Sequence, residues 1–377
     1  MYSGKKILKK RFCALFLSAL MILTNVQMTA AEETSGTSSA VIVISTAKEL
    51  AKIGTDAKYP MDGNYELASD IDLSTMKWTP AGRYVGTKGT ISAKEANVFS
   101  GTFDGNGHVI KGLTIDLDGT VSAGKYAQVG LFSVIAGGSA DDYAIVKNLI
   151  FTDVNIKTDF SSGYSTIGTL AGEVNGYAKI DQVAVLNGQI ESNPSRQNDT
   201  VGTGGLIGEC RTDIDNTKVD NSNIYITNCY NGADINANGS RTDLLYAGGI
   251  IGRIAKSACG TVSQCINTGS VQYDGYNGYG IAAAETGNQA CVSTVSNCYY
   301  IDGKELSTEN GEASAISEAA LKSGSLPEGF SSEIWTAKEN CYFMPSICYQ
   351  SSAAEMIYLS GLSLELSLIH ICVEDKN

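Results

Sequence analysis

The sequence has few histidines, few prolines and few basic residues. Its 377 residues include only two histidines, and five prolines against 41 glycines. It contains no His-Glu-x-x-His segment, the helical motif of zinc proteases. Few prolines with many glycines are typical of short strands joined by turns rather than of helical bundles.

Acidic residues outnumber basic ones, with 27 Lys and Arg against 40 Asp and Glu and a net charge of −13. Five of the basic side chains precede residue 32, and without them the net charge is −18. Such acidity argues against nucleic acid and anionic lipid, which bind basic patches. We predict no nucleic-acid partner, no cofactor, no metal site, and a monomer.

The N-terminus has the layout of a cleavable secretory signal. A basic stretch at 5–11 is followed by an apolar run at 12–26 and small residues at 29–31. The apolar run is shorter than the roughly 20 residues that span a bilayer, and a membrane anchor is the alternative. We predict a signal peptide at 1–31, a linker at 32–40, and no membrane contact after cleavage.

Two elements recur along the body of the sequence. In the first element, glycines flank apolar residues. The first glycines of successive copies are 38, 36, 44 and 32 positions apart. Its copies contain Gly130, Leu131, Gly168, Gly172, Gly204, Gly205, Leu206, Ile207, Gly208, Gly248, Gly249, Ile250, Ile251 and Gly252, with a weaker copy at Gly280. The second element has an amide before an apolar residue or a thiol. Its amides are Asn148, Gln182, Asn228, Gln264 and Asn297.

These repeats indicate parallel strands stacked about 4.8 Å apart, so that equivalent side chains line up. Stacked amides can hydrogen-bond the residues above and below them, as an amide ladder. We predict an all-β fold, a right-handed parallel β-helix (solenoid) with short capping helices, one of them at 46–53. A β-sandwich with accidental internal similarity is the alternative.

The predicted domains follow the repeats. Residues 41–117 form an N-terminal cap with the first β-helix turns, 118–304 the repeat β-helix, and 305–348 a C-terminal closing segment. The remaining tail, 349–377, contains a hexapeptide at 366–371 of the kind that a sequencing-library transposon end encodes. We therefore expect a truncated chain with a sequencing artefact from about residue 366. A short apolar strand is the alternative.

The repeats resemble the GLUG motif of bacterial cell-surface proteins. Gly-Leu-Ile-Gly at 205–208 and Gly-Ile-Ile-Gly at 249–252 carry the resemblance. Asn-Cys-Tyr-Asn at 228–231 is similar to stretches within such arrays, and the block at 99–108 is similar to the segment before them. The resemblance covers about residues 41–345.

This resemblance implies an adhesin-like parallel β-helix at the cell surface. Related arrays also accompany catalytic domains, including some immunoglobulin-cleaving metalloproteases. The resemblance brings no catalytic residues with it. The chain departs from the motif at 168–172 and 280–284, so those turns are the least similar.

Five cysteines recur at related positions. Cys229, Cys265 and Cys298 follow the amide of the second element, and Cys259 and Cys291 resemble each other just upstream. Stacked neighbours would have Cα atoms about 5 Å apart, within disulfide range. Export favours disulfides, whereas a buried thiol ladder suits free cysteines that act as small apolar side chains. Both possibilities stay open.

Some polar residues could support chemistry on polysaccharides, which needs paired carboxylates. Glu173 and Glu209 are among the available acids, with Arg211 and Arg253 as possible partners. Each arginine follows a glycine element, so we predict solvated loops there. His108 is predicted to be an exposed turn residue. We predict no catalytic residues.

Tyr273, Tyr276 and Tyr279 alternate with Gly and Asn, a composition that suits an adaptable contact loop. We predict a non-enzymatic secreted or cell-surface protein for adhesion or extracellular ligand binding. Its partner would be an extracellular ligand such as a glycan or a host protein. The alternatives are a passive spacer in a larger surface protein and a polysaccharide-active β-helix enzyme.

Overall fold

The computed structural model describes residues 40–82, 85–87, 98–118, 125–160, 164–193, 200–214, 217–218, 224–238, 245–255, 258, 260–273, 276–284, 294–302 and 313–357. All of them belong to the unit Ala40–Asn377. The predicted signal peptide, the suspected artefact at the C-terminus, Cys259 and Cys291 lie outside these residues. Within the described part of the chain, no helix is long and apolar enough to cross a membrane.

Short strands make up most of the described chain. They are β1 (Val41–Ile44), β2 (Asn64–Leu67), β3 (Ile71–Asp72), β4 (Val85–Thr87), β5 (Thr102–Asp104), β6 (Val109–Lys111), β7 (Thr114–Asp118), β8 (Lys125–Val129), β9 (Phe132–Gly137), β10 (Ala144–Thr152), β11 (Val154–Asp159), β12 (Tyr164–Ile167), β13 (Ala171–Gly176), β14 (Ala178–Val185), β15 (Gly188–Ser192), β16 (Val201–Gly204), β17 (Ile207–Arg211), β18 (Asp213–Ile214), β19 (Thr217–Lys218), β20 (Ile224–Thr227), β21 (Tyr230–Asn231), β22 (Asp234–Ala237), β23 (Leu245–Gly248), β24 (Ile251–Ile254), β25 (Gly260–Ser263), β26 (Ile266–Asn267), β27 (Val271–Tyr273), β28 (Tyr276–Asn277), β29 (Ala282–Ala284), β30 (Thr294–Ser296), β31 (Cys298–Ile301), β32 (Ala313–Ile316), β33 (Trp335–Lys338) and β34 (Cys341–Pro345). The helices are α1 (Ala47–Leu50), α2 (Glu318–Leu321) and α3 (Ser346–Gln350).

Four larger sheets organise most of these strands, and nearly all pairing within them is parallel; β18 with β19 and β33 with β34 form two separate antiparallel pairs. Sheet I has fourteen strands, among them β1, β2, β5, β10, β14, β20, β21, β25, β26 and β30–β32. Sheet II runs β28-β27-β22-β15-β11-β7, sheet III runs β23-β16-β12-β8-β4, and sheet IV runs β29-β24-β17-β13-β9. The chain visits the sheets in the order I, II, III, IV and then returns to sheet I, as in β10, β11, β12, β13 and β14. The predicted all-β class with parallel pairing is therefore confirmed, and each sheet is open at its edges.

Equivalent residues of the repeat stand beside one another in sheet I. Val146 pairs with Ile180, which pairs with Ile226, and this row continues to Val262 and Val295. All five side chains are buried in the main apolar cluster. The apolar residue of each repeat thus stabilises the copies on both sides as well as its own strand.

The first helix packs on the main apolar cluster. Thr46 Oγ1 accepts a hydrogen bond from the Glu49 N–H at 3.2 Å, and Glu49 Oε2 accepts one from the Ser45 N–H at 2.9 Å. This reciprocal capping begins α1 at Ala47. Leu50 and Ile53 are buried against the end of the main apolar cluster.

A second apolar cluster joins the C-terminal segment, residues 313–357, to sheet I. Val109, Ile150, Ala184, Tyr230 and Ile266 form a row across the sheet. The side chains of the C-terminal segment that pack in this cluster are Leu321, Phe330, Trp335, Phe343, Met344, Cys348, Ala353 and Ile357. The row is therefore covered rather than open to solvent.

Candidate ligand-binding face

The glycine motifs form the sharp connections between sheets III and IV. Their central apolar residues, such as Leu206 and Ile250, are fully buried. A Cβ atom on Gly205 would lie 2.4 Å from Asn231 Cγ, and one on Gly249 would lie 2.3 Å from Asn267 Cγ. These glycines are needed because buried amides occupy the space that a side chain would take.

Those buried amides form a stacked pair. Asn231 Nδ2 donates to Asn267 Oδ1 at 2.9 Å, and both side chains are fully buried. Each Oδ1 also accepts a backbone N–H two residues onward, from Ala233 and Gly269. This amide-to-amide bond therefore lies at the last Asn of the Asn-Cys-Tyr-Asn stretch.

The five residues of the predicted amide ladder lie at corners of the chain beside sheet I. Asn148, Gln182, Asn228, Gln264 and Asn297 all have φ between 50° and 54°. Left-handed backbone of this kind is uncommon outside glycine and most accessible to Asn and Asp. The side-chain amides of Asn148 and Asn228 bond to the carboxylates of Asp104 and Asp181, at 3.0 and 2.8 Å.

The cysteines of the second element lie directly inside these corners. Cys229, Cys265 and Cys298 are free thiols and fully buried. Cys265 Sγ contacts the carbonyl oxygen of Ile226 at 3.7 Å, and Cys298 Sγ contacts that of Val262 at the same distance. Burial raises the pKa of the Cys265 and Cys298 thiols well above the ordinary value.

The predicted contact loop falls on an antiparallel hairpin. Tyr273 in β27 pairs with Tyr276 in β28. The structure describes the backbone of these two residues and not their side chains. Tyr279 is half-buried, and its backbone bonds to Ala247 and Gly249.

His108 is half-buried rather than an exposed turn residue. Its Nδ1 lies 3.2 Å from Asp70 Oδ1. Asp70 also accepts hydrogen bonds from the Val109 N–H and from the Ser352 hydroxyl. Because Ser352 bonds to the carboxylate, this trio does not have the Ser–His contact that activates a nucleophile. No group of three or more His, Cys, Asp or Glu within the described ranges could hold a metal ion.

The prediction of solvated loops at the arginines is wrong for Arg253. Glu209 is fully buried, and Arg253 Nη1 lies 2.5 Å from Glu209 Oε1 with only 8% of Arg253 exposed. Tyr164 donates its hydroxyl to Glu209 Oε2. Glu173 is aligned with Glu209 on the neighbouring strand of sheet IV. Solvated loops were predicted because a charged residue that follows a glycine in sequence is typical of an exposed turn.

The buried charges lie where sheets III and IV come together. A Cβ on Gly208 would lie 2.3 Å from the Ile167 backbone nitrogen, so the two sheets are in backbone contact. Gln128 Oε1 and Thr166 Oγ1 are buried without a hydrogen-bond partner within the described part of the chain. All these groups are too enclosed to meet a large ligand.

Sheet I, in contrast, displays an accessible cluster of aromatic rings around one cation. We call Tyr143, Tyr177, Tyr225 and Lys179 the tyrosine–lysine face. Its three tyrosines are half-buried and Lys179 is exposed. The ring centroids of Tyr143 and Tyr177 are 5.5 Å apart at 89°, and those of Tyr143 and Tyr225 are 6.2 Å apart at 46°. Lys179 Nζ lies 4.1 Å from the Tyr143 ring centroid and 6.0 Å from that of Tyr225.

The repeat explains how this face assembles. Tyr143 and Tyr177 each stand five residues before a corner amide, and Lys179 and Tyr225 each stand three before one. Lys179 pairs with Tyr225 across adjacent strands of sheet I. Sequence reasoning missed the face, although aligning the repeats on their amides reveals these equivalent positions.

Comparison with known proteins gives distant similarities. No protein-family model matches the chain. It is 28% identical over 246 residues to halomucin from Haloquadratum walsbyi. The aligned residues make up 65% of this chain and 2% of halomucin. The chain thus spans about 2% of that relative's length. A crystal structure from Bacteroides ovatus, described as a candidate immunoglobulin A1 protease, matches with 18% identity and a TM-score of 0.49. That match covers 82% of this chain and 92% of the other.

The structural match corrects one prediction. The sequence led us to exclude enzymes, and we withdraw this exclusion because the matching structure is described as a candidate protease. At 18% identity and a TM-score of 0.49, the likeness transfers neither an activity nor site residues to this chain.

Proposed function

We propose that this chain is a secreted or cell-surface protein that binds an extracellular ligand through its tyrosine–lysine face. The location is supported by the layout of residues 1–31 and by the similarity to halomucin. For the fold, we propose that sheets I to IV are the faces of a right-handed parallel β-helix of GLUG type. The fixed order in which the chain visits the sheets supports this proposal.

The observation that carries the binding proposal is the cluster of Tyr143, Tyr177 and Tyr225 around Lys179 on three successive levels of sheet I. Tyrosine offers a large, rigid contact surface at little entropic cost, which is why interfaces are rich in it. Ring contacts and the lysine hold one another in place before binding, with about 0.5–1 kcal/mol from each exposed cation–π contact. Such preorganisation lowers the cost of binding.

A binding panel tests this function. The purified protein is titrated with acidic polysaccharides, neutral polysaccharides and extracellular-matrix proteins, while the solution is assayed for cleavage products. We expect saturable binding that Tyr225→Ala weakens at least tenfold. Tyr59→Ala is the matched control, because Tyr59 is also half-buried and contacts a lysine, Lys52, at 5.1 Å. Absence of binding across the panel contradicts the proposal and supports a passive spacer.

Cleavage of a polysaccharide would support a different function. Glu173 and Glu209 are the paired carboxylates that favour this second candidate, since they stand on adjacent strands. Their burial requires sheets III and IV to open before a substrate could reach them. If Glu173→Gln and Glu209→Gln abolish product release, this second function replaces binding at the tyrosine–lysine face.

A further inference from the structure

We propose that the ligand of the tyrosine–lysine face is an acidic glycan, a saccharide chain that carries carboxylate or sulfate groups. This inference rests on the proposed binding function and names the chemistry of the ligand. It follows from the state of Lys179, from the orientation of the surrounding rings, and from the row of side chains that continues across sheet I.

Lys179 is a cation that no carboxylate neutralises within the described part of the chain. Other lysines on the surface do form ion pairs, such as Lys147 with Asp104 at 3.1 Å. The carboxylate two residues along the same strand, Asp181, accepts hydrogen bonds from Thr227 Oγ1 at 2.6 Å and from Asn228 Nδ2 at 2.8 Å. The hydrogen bonds of the corner thus occupy Asp181, while the ammonium group of Lys179 lies against the aromatic rings. An anionic ligand can pair with Lys179 without first breaking an internal salt bridge.

The rings around Lys179 are inclined to one another instead of forming one flat surface. Tyr177 stands at 89° to Tyr143, and Tyr225 at 46°. The face of an aromatic ring is electron-rich and attracts the weakly positive edges of C–H bonds. A pyranose ring presents such C–H bonds on its faces and hydroxyl groups at its rim. The inclined rings therefore suit a sugar that stacks on one tyrosine and directs its acidic group to Lys179.

A row of hydroxyl groups extends the face across the strands. Thr261 pairs with Tyr225, and Thr294 pairs with Thr261, one strand further each time. Thr294 is exposed and Thr261 is half-buried. From Lys179 to Thr294 the row covers three strand spacings, about 14 Å. A row of this length favours a chain of sugars over a single small anion.

Because the whole chain is acidic, nonspecific electrostatic attraction of an acidic ligand cannot be mistaken for the contribution of Lys179. The protein carries a net charge of −13, and the exposed Asp141 and Asp142 precede Tyr143. An acidic polymer is therefore repelled by most of the surface. Its binding must depend on local contacts at Lys179, so removal of this one charge has a specific effect.

The test compares three variants against matched ligands. Lys179→Met removes the charge, Lys179→Arg keeps it, and Lys52→Met is the control, because Lys52 is also exposed and contacts a tyrosine ring. Binding of the full protein is measured by calorimetry for oligogalacturonate, a sulfated oligosaccharide, a neutral cello-oligosaccharide and poly-glutamate. Thermal unfolding verifies that each variant is folded. The two acidic saccharides distinguish a carboxylate ligand from a sulfate ligand.

We expect an acidic saccharide to bind, and Lys179→Met to weaken it about fivefold, the size of an exposed ion pair. Lys179→Arg and Lys52→Met should bind like the unmodified protein. Equal affinity of Lys179→Met and the unmodified protein overturns the inference, as does stronger binding of poly-glutamate. If Tyr225→Ala, the variant used to test the proposed function, weakens binding of the neutral saccharide and Lys179→Met does not, the inference is overturned and the proposed function stays intact. If the unmodified protein binds none of the four ligands, both the inference and the proposed function are overturned.

Discussion

At the scale of single residues, contacts between glycine and asparagine link the two elements of the repeat. Gly205 and Gly249 lie against the buried amides of Asn231 and Asn267, which bond to each other and to nearby backbone. A buried amide that loses a partner costs about 1–3 kcal/mol, so neither Asn can move aside cheaply. The glycine motif and the Asn-Cys-Tyr-Asn stretch therefore depend on each other, although they are distant in sequence.

We expect Gly205→Ala to lower the free energy of unfolding by about 3 kcal/mol, because the new methyl group would lie 2.2 Å from the Gly249 carbonyl oxygen and 2.4 Å from Asn231 Cγ. Gly138→Ala is the control, since Gly138 is exposed and its nearest atom would be 3.4 Å away. Urea denaturation measures both. Equal stability of the two variants would show that the backbone at Gly205 relaxes freely.

At the scale of elements, a buried ion pair within sheet IV is hydrogen-bonded to a tyrosine of sheet III. Glu209 on β17 pairs with Arg253 on β24, and Tyr164 on β12 donates to the same carboxylate. Arg253 also lies 5.7 Å from the Tyr164 ring and 5.4 Å from the Tyr246 ring. One carboxylate thus connects strands of both sheets, and its removal would loosen both.

We expect Arg253→Met to destabilise the protein by about 3–5 kcal/mol, because it removes the closer of two arginines from a fully buried carboxylate. Adding Glu209→Gln should recover part of this loss, since the double variant buries no unpaired charge. Arg211→Met is the milder control, because Arg211 is 25% exposed and lies 3.8 Å from the same carboxylate. Thermal and urea unfolding measure all three. A double variant no more stable than Arg253→Met would refute this account of the pair.

At the scale of the whole molecule, the C-terminal segment returns to the first strands of the fold. Ser352 bonds to Asp70, 282 positions earlier in the chain. Burial acts to raise the pKa of Asp70, but the hydrogen bonds from Ser352, Val109 and His108 outweigh it and lower the pKa. A lowered folded-state pKa means that the stabilisation is complete above the ordinary Asp value of 3.8 and is lost as pH falls through the folded-state pKa.

We expect Asp70→Asn to lower stability at pH 7 by about 1 kcal/mol and to speed proteolysis of the C-terminal segment. The stability difference should shrink as pH falls below 4, because protonation then removes the same charge from the unmodified protein. Asp72→Asn is the control, since Asp72 accepts a hydrogen bond from a near neighbour in sequence, the Ser74 N–H. Urea unfolding at pH 7, 5 and 3 with limited proteolysis measures the effect. A difference that is constant with pH would exclude the Asp70 charge as its cause.

The sequence by itself determined the β-rich class and the parallel stacking of the repeats. Val146, Ile180 and Ile226 recur at one repeat position, and residues that recur at one position occupy one row when their strands stack. Only the tertiary structure decided that Glu209 and Arg253 are buried and that three tyrosines meet at Lys179. Tyr143, Tyr177 and Tyr225 are separated by intervals of 34 and 48 residues. Because the insertions between repeats differ in length, no fixed spacing in the sequence identifies these tyrosines as neighbours. Whether a charged side chain meets water or another sheet depends on how sheets III and IV pack.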